Sequence, residues 1–133
     1  MDEMNMTAAP LTQDATPREI AEYAVRVLDT KKARDIRLLY TEKQTILADY
    51  FVICSGTSRT QLRSLADEVE YKLSLCGIAP LHIEGNGNEG WVLIDFGCVI
   101  VHVFSRDARE FYNLEKLYAE TSECDISGLL TED

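Results

Sequence analysis

The stretch GWVLIDFGCVIVHVF, residues 90–104, is the most hydrophobic passage of the chain. Its Gly97 and Cys98 suit a two-residue hairpin loop, because glycine at the first central position permits the turn type that matches strand twist. Such a loop fixes the register of two antiparallel strands and places six apolar side chains on one face, which is expected to meet a helix. These pair as Phe96 with Val99, Ile94 with Val101, and Val92 with Val103.

The other face of this hairpin is mixed in character. Trp91, Asp95 and His102 share it, and we predict that it is the surface that the protein uses. Asp95 and His102 are diagonal neighbours. Three roles are therefore open for them: an acid/base pair, a structural pair, or polar residues of an interface. Trp91 fits either packing at the edge of the core or an exposed anchor. The same register pairs Asp95 with Ile100, Leu93 with His102, and Trp91 with Phe104.

Helix and strand signals precede the hairpin. Thr16, with Glu19 three residues later, forms a capping box that starts a first helix reaching about residue 32. Strands are predicted at 35–40 and 50–55. The second, YFVICS, is apolar throughout, which is typical of a strand covered on both faces. We therefore expect it in the interior of a sheet.

Two more helices and a strand complete the pattern. Ser58 is predicted to cap a second helix, and LHIE at 81–84 is a short strand. A last helix is predicted over 107–120, with Asp107 as its N-cap and Glu110 at the capping-box position. Its inward stripe is expected to be Phe111, Leu114 and Tyr118.

The order of these elements predicts a single α/β domain over residues 16–120, with a mixed five-stranded sheet flanked by helices. Residues 1–15 lack periodicity and are expected to form a flexible N-terminal tail. Residues 121–133 are polar and acidic, and are expected to form a flexible C-terminal tail.

The charge of the chain limits its partners. Its 133 residues include 13 Lys and Arg against 23 Asp and Glu, a net charge of −10. This charge repels phosphate backbones and argues against nucleic acid, whereas a basic protein partner is compatible with it.

No apolar run approaches the length of about 20 residues that spans a bilayer, and the amino terminus is acidic rather than a basic signal region. We expect a cytoplasmic protein with no membrane partner.

The residue pattern argues against catalysis. Nucleophilic attack by Cys98 assisted by His102 is disfavoured, because residues four apart on a strand are separated by about 13 Å. The turn SGTS at 55–58 precedes a helix and suits an anion or a plain N-cap. Nucleotidyl transfer also needs paired carboxylates for Mg²⁺, and no Asp-x-Asp occurs on a predicted strand. We expect no catalytic residue, no metal and no cofactor. The cysteines, which lack metal-site spacing and are interpreted as free buried thiols, are Cys54, Cys76, Cys98 and Cys124.

Five motifs carry a resemblance to a known family: ADYFVICSGTS, ADEVEYKL, EGWVLIDFG, VIVHVF and REFYNLEKLY. In order and spacing they resemble the ribosomal silencing factor family, RsfS, also called Iojap, over about residues 16–120. The resemblance implies a fold related to nucleotidyltransferases without their catalysis. It also implies binding to the large ribosomal subunit through ribosomal protein uL14, which sterically blocks joining of the small subunit and represses translation. The alternative reading is a metal-dependent enzyme of the nucleotidyltransferase type.

The resemblance also assigns a partner-binding site, without distinguishing residues that touch the partner from residues that support the site. Two positions depart from the family pattern. Cys98 stands where members often have aspartate, which puts a polar turn contact in doubt, and Tyr118 stands where they often have tryptophan. A homodimer of the free protein is compatible with the resemblance, although the oligomeric state stays open. The positions that match the family signature are Trp91, Asp95, His102, Phe104, Arg109, Glu110, Tyr112 and Glu115.

Overall fold

A mixed six-stranded sheet and four helices form the fold in the computed structural model, which describes residues 11–43, 45–117 and 122–131. The strands are β1 Arg34–Tyr40, β2 Tyr50–Gly56, β3 His82–Glu84, β4 Trp91–Asp95, β5 Val99–Ser105 and β6 Ser122–Cys124. The helices are α1 Pro17–Thr30, α2 Arg59–Leu75, α3 Arg106–Tyr112 and α4 Leu114–Leu117, and a 3-10 turn spans Ser127–Leu129. The strand order is β3-β4-β5-β2-β1-β6, with β2 and β5 parallel, so YFVICS lies in the interior of the sheet as predicted.

The predicted count of five strands is wrong, because the C-terminal segment supplies a sixth. β6 pairs antiparallel with β1, where Leu38 faces Cys124 and Leu39 faces Glu123. Ile126 then turns into the main core. Part of the segment 121–133, predicted to be a flexible tail, is therefore an edge strand. The acidic sequence does not predict this strand, because a three-residue strand is stabilised by pairing with its neighbour and not by a hydrophobic pattern of its own.

Both long helices begin at the predicted caps. The Thr16 hydroxyl accepts the backbone N–H of Glu19, and the Glu19 carboxylate accepts the N–H of Thr16, which completes the capping box of α1. The Ser58 hydroxyl accepts the N–H of Gln61 at the start of α2. These bonds satisfy N–H groups that a helix end leaves unpaired.

The β4–β5 hairpin has the predicted register. Phe96 donates its N–H to the carbonyl of Val99 across the two-residue loop. Gly97 has φ 95°, a left-handed conformation that strains any L side chain, so the turn requires glycine. The observed pairs include Trp91 with Phe104, Val92 with Val103, Leu93 with His102, Ile94 with Val101, and Asp95 with Ile100.

The two faces of the sheet are covered unequally. α1 and α2 pack on one face, where the apolar side of the hairpin joins the main core as predicted. From the short helices α3 and α4, Ala108, Leu114 and Tyr112 pack on the other face, and Trp91 and Leu93 remain half-buried there. This second face is therefore partly open. Its buried cluster consists of Leu39, Ala48, Phe51, Ile53, Ile100 and Phe104.

The last predicted helix is broken in two. Ser105 rather than Asp107 is the N-cap of α3, since its hydroxyl accepts the N–H of Ala108. Asn113 adopts a left-handed conformation, φ 49°, and ends α3 after two turns. Phe111, on α3 before the break, is 81% exposed, so its predicted inward position is wrong. Tyr118 lies outside the described residues.

Candidate functional site

Four ring-bearing residues meet where the second face of the sheet reaches α3, and we call them the aromatic cluster: Trp91, His102, Phe104 and Tyr112. The ring of Trp91 is at the centre, with ring centroids 4.5 Å from Tyr112, 4.9 Å from Phe104 and 5.9 Å from His102. β4 and β5 supply three of these residues and α3 supplies Tyr112. All four are among the positions that match the family signature, and the predicted hairpin register places Trp91, His102 and Phe104 on one face.

The members differ in how far they reach the surface. Phe104 is fully buried and His102 is 4% exposed, whereas Trp91 is half-buried and Tyr112 is 46% exposed. An outer pair, Trp91 and Tyr112, is therefore available to a partner, and an inner pair supports it. Phe111 extends the exposed apolar area beside Tyr112, with ring centroids 5.0 Å apart.

His102 is held as a neutral imidazole. The indole Nε1 of Trp91 donates to His102 Nδ1 over 3.3 Å. Burial lowers the pKa of His102 to about 3. His102 Nε2 is also buried, and no atom of the described residues hydrogen-bonds to it. This environment excludes the charged ring at neutral pH.

The acid/base pair of Asp95 and His102 does not form. The Asp95 carboxylate accepts the N–H of Gly97 over 2.7 Å and so serves the hairpin turn. His102 bonds instead to Trp91. Asp95 lies at the turn end of β4 and Trp91 at its other end, so the length of the strand separates these two side chains.

Arg109 and Glu115 meet across the break at Asn113. Arg109 donates from Nε and Nη2 to the same Glu115 oxygen, over 3.1 and 2.7 Å. It also donates from Nη1 to the Ser55 hydroxyl over 2.8 Å. The remaining predicted site residue, Glu110, projects into solvent from α3, with 74% of its side chain exposed. Ser55 was missed by the sequence analysis as a site residue, because a serine ending a strand gives no signal of its role.

A groove of about 1280 Å³ runs past the C-terminal ends of the parallel strands β2 and β5. It forms because α2 and α3 leave these strands toward opposite faces of the sheet. The SGTS turn lines it. Within the described residues, no group of three or more His, Cys, Asp or Glu side chains is placed to hold a metal ion. The charged residues of the lining are balanced in sign: Arg34, Arg37, Arg59, Arg106 and Arg109 against Asp35, Glu89, Asp107, Glu110 and Glu115.

The four cysteines are free thiols, and the prediction that all of them are buried is wrong for Cys98 and Cys124. Cys54 and Cys76 are buried, and Cys98 is half-buried in the hairpin turn. Burial raises the pKa of the Cys98 thiol, which keeps it in the unreactive protonated form. Across the described part of the chain, none of the helices combines the length and apolar character that crossing a membrane requires.

The fold and the site define a class of small α/β protein in which helices cover one face of the sheet and the other face presents an aromatic cluster. Comparison with known proteins specifies the family. Residues 14–133 match the sequence model of the family described as ribosomal silencing factor during starvation, RsfS. The chain therefore belongs to the ribosomal silencing factor family, whose members are regulatory proteins of translation rather than enzymes. This confirms the resemblance seen in the sequence motifs.

Individual relatives agree with this assignment. The chain is 37% identical to a ribosomal silencing factor RsfS from Halalkalibacterium halodurans, over 86% of this chain and 97% of the relative. It is 39% identical to that of Bacillus subtilis, over 82% and 92%. A mouse protein named mitochondrial assembly of ribosomal large subunit protein 1 is 36% identical over 71% of this chain and 42% of the mouse protein. A crystal structure of a protein from Chromobacterium violaceum, 34% identical, superposes with a TM-score of 0.76 over 79% of this chain and 88% of that one.

Proposed function

We propose that the protein binds the large ribosomal subunit through ribosomal protein uL14, using the partly open sheet face around the aromatic cluster. In this position it sterically blocks joining of the small subunit and represses translation. The observation that carries the proposal is the ring contact of half-exposed Tyr112 with half-buried Trp91, centroids 4.5 Å apart, at the edge of that face.

Apolar area supports the proposal. Tyr112, Phe111 and Trp91 present adjoining aromatic surface, whereas Phe104 beneath them is fully buried. Aromatic side chains that are rigidly backed by a core are the usual anchors of protein interfaces, because they bury a large area at a low cost in conformational entropy.

Charge supports a basic partner. The chain carries a net charge of −10, and exposed Glu110 lies on α3 two residues before Tyr112. Acidic groups at the rim of an interface steer a basic partner toward it and fix its orientation. The name of the mouse relative, which refers to assembly of the large ribosomal subunit, supports the choice of subunit.

Burial divides the predicted site residues into two roles. Trp91, Tyr112 and Glu110 reach the surface and are proposed as contact residues. His102 and Phe104 are buried and are proposed to support Trp91 from below.

The same exposed aromatic face also suits a homodimer of the free protein, which binding to the ribosome would then dissociate.

The test is sedimentation of the purified protein with isolated large subunits, followed by zero-length crosslinking and identification of the crosslinked ribosomal protein. We expect co-sedimentation that is independent of magnesium nucleotide, crosslinks to uL14, and fewer joined ribosomes when small subunits are added. Binding with unchanged subunit joining would overturn the steric mechanism. Magnesium-dependent nucleotide turnover by the protein would instead support the enzyme alternative.

A further inference from the structure

We infer that Arg109, with Ser55 and Glu115, forms a positioning group that holds Tyr112 against Trp91. We call these three residues the Arg109 clamp. The inference rests on the proposed function for its consequence in binding, but the clamp itself is a property of the free protein. It adds Ser55 to the site and gives Arg109 and Glu115 a role other than touching the partner.

The geometry of the clamp joins three separate elements. The guanidinium of Arg109, on α3, reaches Ser55 near the end of β2 and Glu115 on α4. It does so with three hydrogen bonds between 2.7 and 3.1 Å. The Arg109 side chain is 11% exposed and that of Glu115 is 24% exposed, so solvent competes weakly for these bonds. A charge-assisted network of this kind is stronger than an exposed ion pair.

The helix that carries Tyr112 needs such support. α3 has seven residues, none of which is fully buried, and it ends at the left-handed Asn113. A helix of this length is unstable without tertiary contacts. Ala108 packs against the second face of the sheet, but it lies at the start of the helix. Arg109 ties the second half of α3, where Tyr112 lies, to β2 and α4.

Sequence spacing connects the clamp to the aromatic cluster. Arg109 and Tyr112 are three residues apart on α3, and side chains at this spacing are neighbours on a helix. Fixing Arg109 on Ser55 therefore fixes the direction in which Tyr112 leaves the helix and keeps its ring on Trp91. Arg109 is poorly suited to touch the proposed basic partner, since its own positive charge would oppose that contact.

The free protein contains its own reporter of this arrangement. Trp91 is the only tryptophan of the chain, and the Tyr112 ring covers part of it. Quenching of tryptophan fluorescence by acrylamide therefore measures whether Tyr112 is in place. We expect Arg109→Gln and Ser55→Ala to increase the quenching constant toward that of Tyr112→Ala. Arg106→Gln is the matched control, because Arg106 lies on the same helix with 87% of its side chain exposed.

Combined substitutions test whether Arg109 acts through Tyr112. Arg109→Gln should raise acrylamide quenching in the wild-type background and should add nothing once Tyr112 is alanine. Arg109→Lys keeps the charge but cannot reach Ser55 and Glu115 together, so it should behave like Arg109→Gln. Glu115→Gln retains an acceptor oxygen and should preserve most of the wild-type quenching. Each variant is measured at a temperature at which thermal denaturation shows it folded.

Binding to isolated large subunits gives the second measurement. Arg109→Gln should weaken binding about tenfold, less than removal of the Tyr112 anchor itself, and should have no further effect in the Tyr112→Ala protein. Wild-type quenching in a folded Arg109→Gln protein would overturn the clamp. Increased quenching in Arg109→Gln, together with wild-type ribosome binding by Tyr112→Ala, would establish the clamp and refute the proposed docking face.

Discussion

Trp91 and His102 are joined by a hydrogen bond in which the indole N–H donates to the imidazole Nδ1 over 3.3 Å. Because Nδ1 is the acceptor, the proton of the neutral imidazole lies on Nε2. Protonation of Nδ1 would remove the acceptor of Trp91 and place a charge in the core. The orientation of the central aromatic residue therefore depends on a histidine that stays neutral.

This relationship predicts an acid-sensitive fold. His102 has a pKa of about 3 in the folded protein, whereas an unfolded histidine has a pKa of about 6.5. Between these values the unfolded state binds a proton that the folded state does not, so the free energy of unfolding falls as pH decreases, by up to about 1.4 kcal/mol per pH unit. We expect denaturant titrations between pH 7.5 and 4.5 to give a shallower dependence for His102→Gln, in which an amide oxygen can accept from Trp91.

The matched control for this prediction is His82→Gln, since His82 is the other histidine of the chain and lies exposed on β3. The carboxyl groups that titrate in this range are common to all three proteins. Equal pH dependence in wild type and His102→Gln would show that burial of His102 does not control acid stability.

The C-terminal segment is predicted to stabilise the domain. Ile126 is 9% exposed and belongs to the main core. Truncating such a side chain removes buried apolar area and leaves a cavity, so Ile126→Ala should lower the free energy of unfolding by about 2–4 kcal/mol. Leu130→Ala, at a position 36% exposed, is the control and should have a much smaller effect in the same chemical denaturation experiment. Equal effects of the two substitutions would mean that this segment does not dock onto the core.

Rim charge is predicted to affect the rate of association. Glu110→Gln removes an exposed acid beside the proposed contact residues, so association with large subunits should slow and depend less on salt, while dissociation changes little. Asp67→Asn on α2 removes an exposed acid from the other side of the sheet and controls for net charge. Stopped-flow association at several salt concentrations measures the association rate and its salt dependence for each variant. If the two variants slow equally, net charge rather than the placement of Glu110 steers binding.

The sequence was most informative where a turn fixes geometry. Gly97 indicates a two-residue turn that only glycine suits. This turn fixes the pairing of Trp91 with Phe104 and of Leu93 with His102. The members of the aromatic cluster on β4 and β5 follow from that one turn. The helix caps at Thr16 and Ser58 were also predicted from the sequence, because they depend on contacts within four residues.

Features that depend on distant contacts could not be predicted in this way. The break at Asn113 interrupts a segment whose apolar spacing suits one continuous helix, and Phe111 of that segment is exposed rather than inward. The Arg109 clamp joins residues 54 positions apart in the chain. β6 exists because the edge of β1 is available to pair with it.

Docking of the aromatic face is proposed to be what silences the ribosome. The most direct test measures, for one set of folded variants, the affinity for isolated large subunits and the inhibition of subunit joining. Trp91→Ala and Tyr112→Ala should each weaken affinity by more than about 2 kcal/mol and lose inhibition in proportion. Tyr71→Ala, which removes a tyrosine 56% exposed on α2, should change neither. Wild-type affinity in both cluster variants would show that the aromatic face does not dock, and inhibition that persists without binding would show that silencing is not steric.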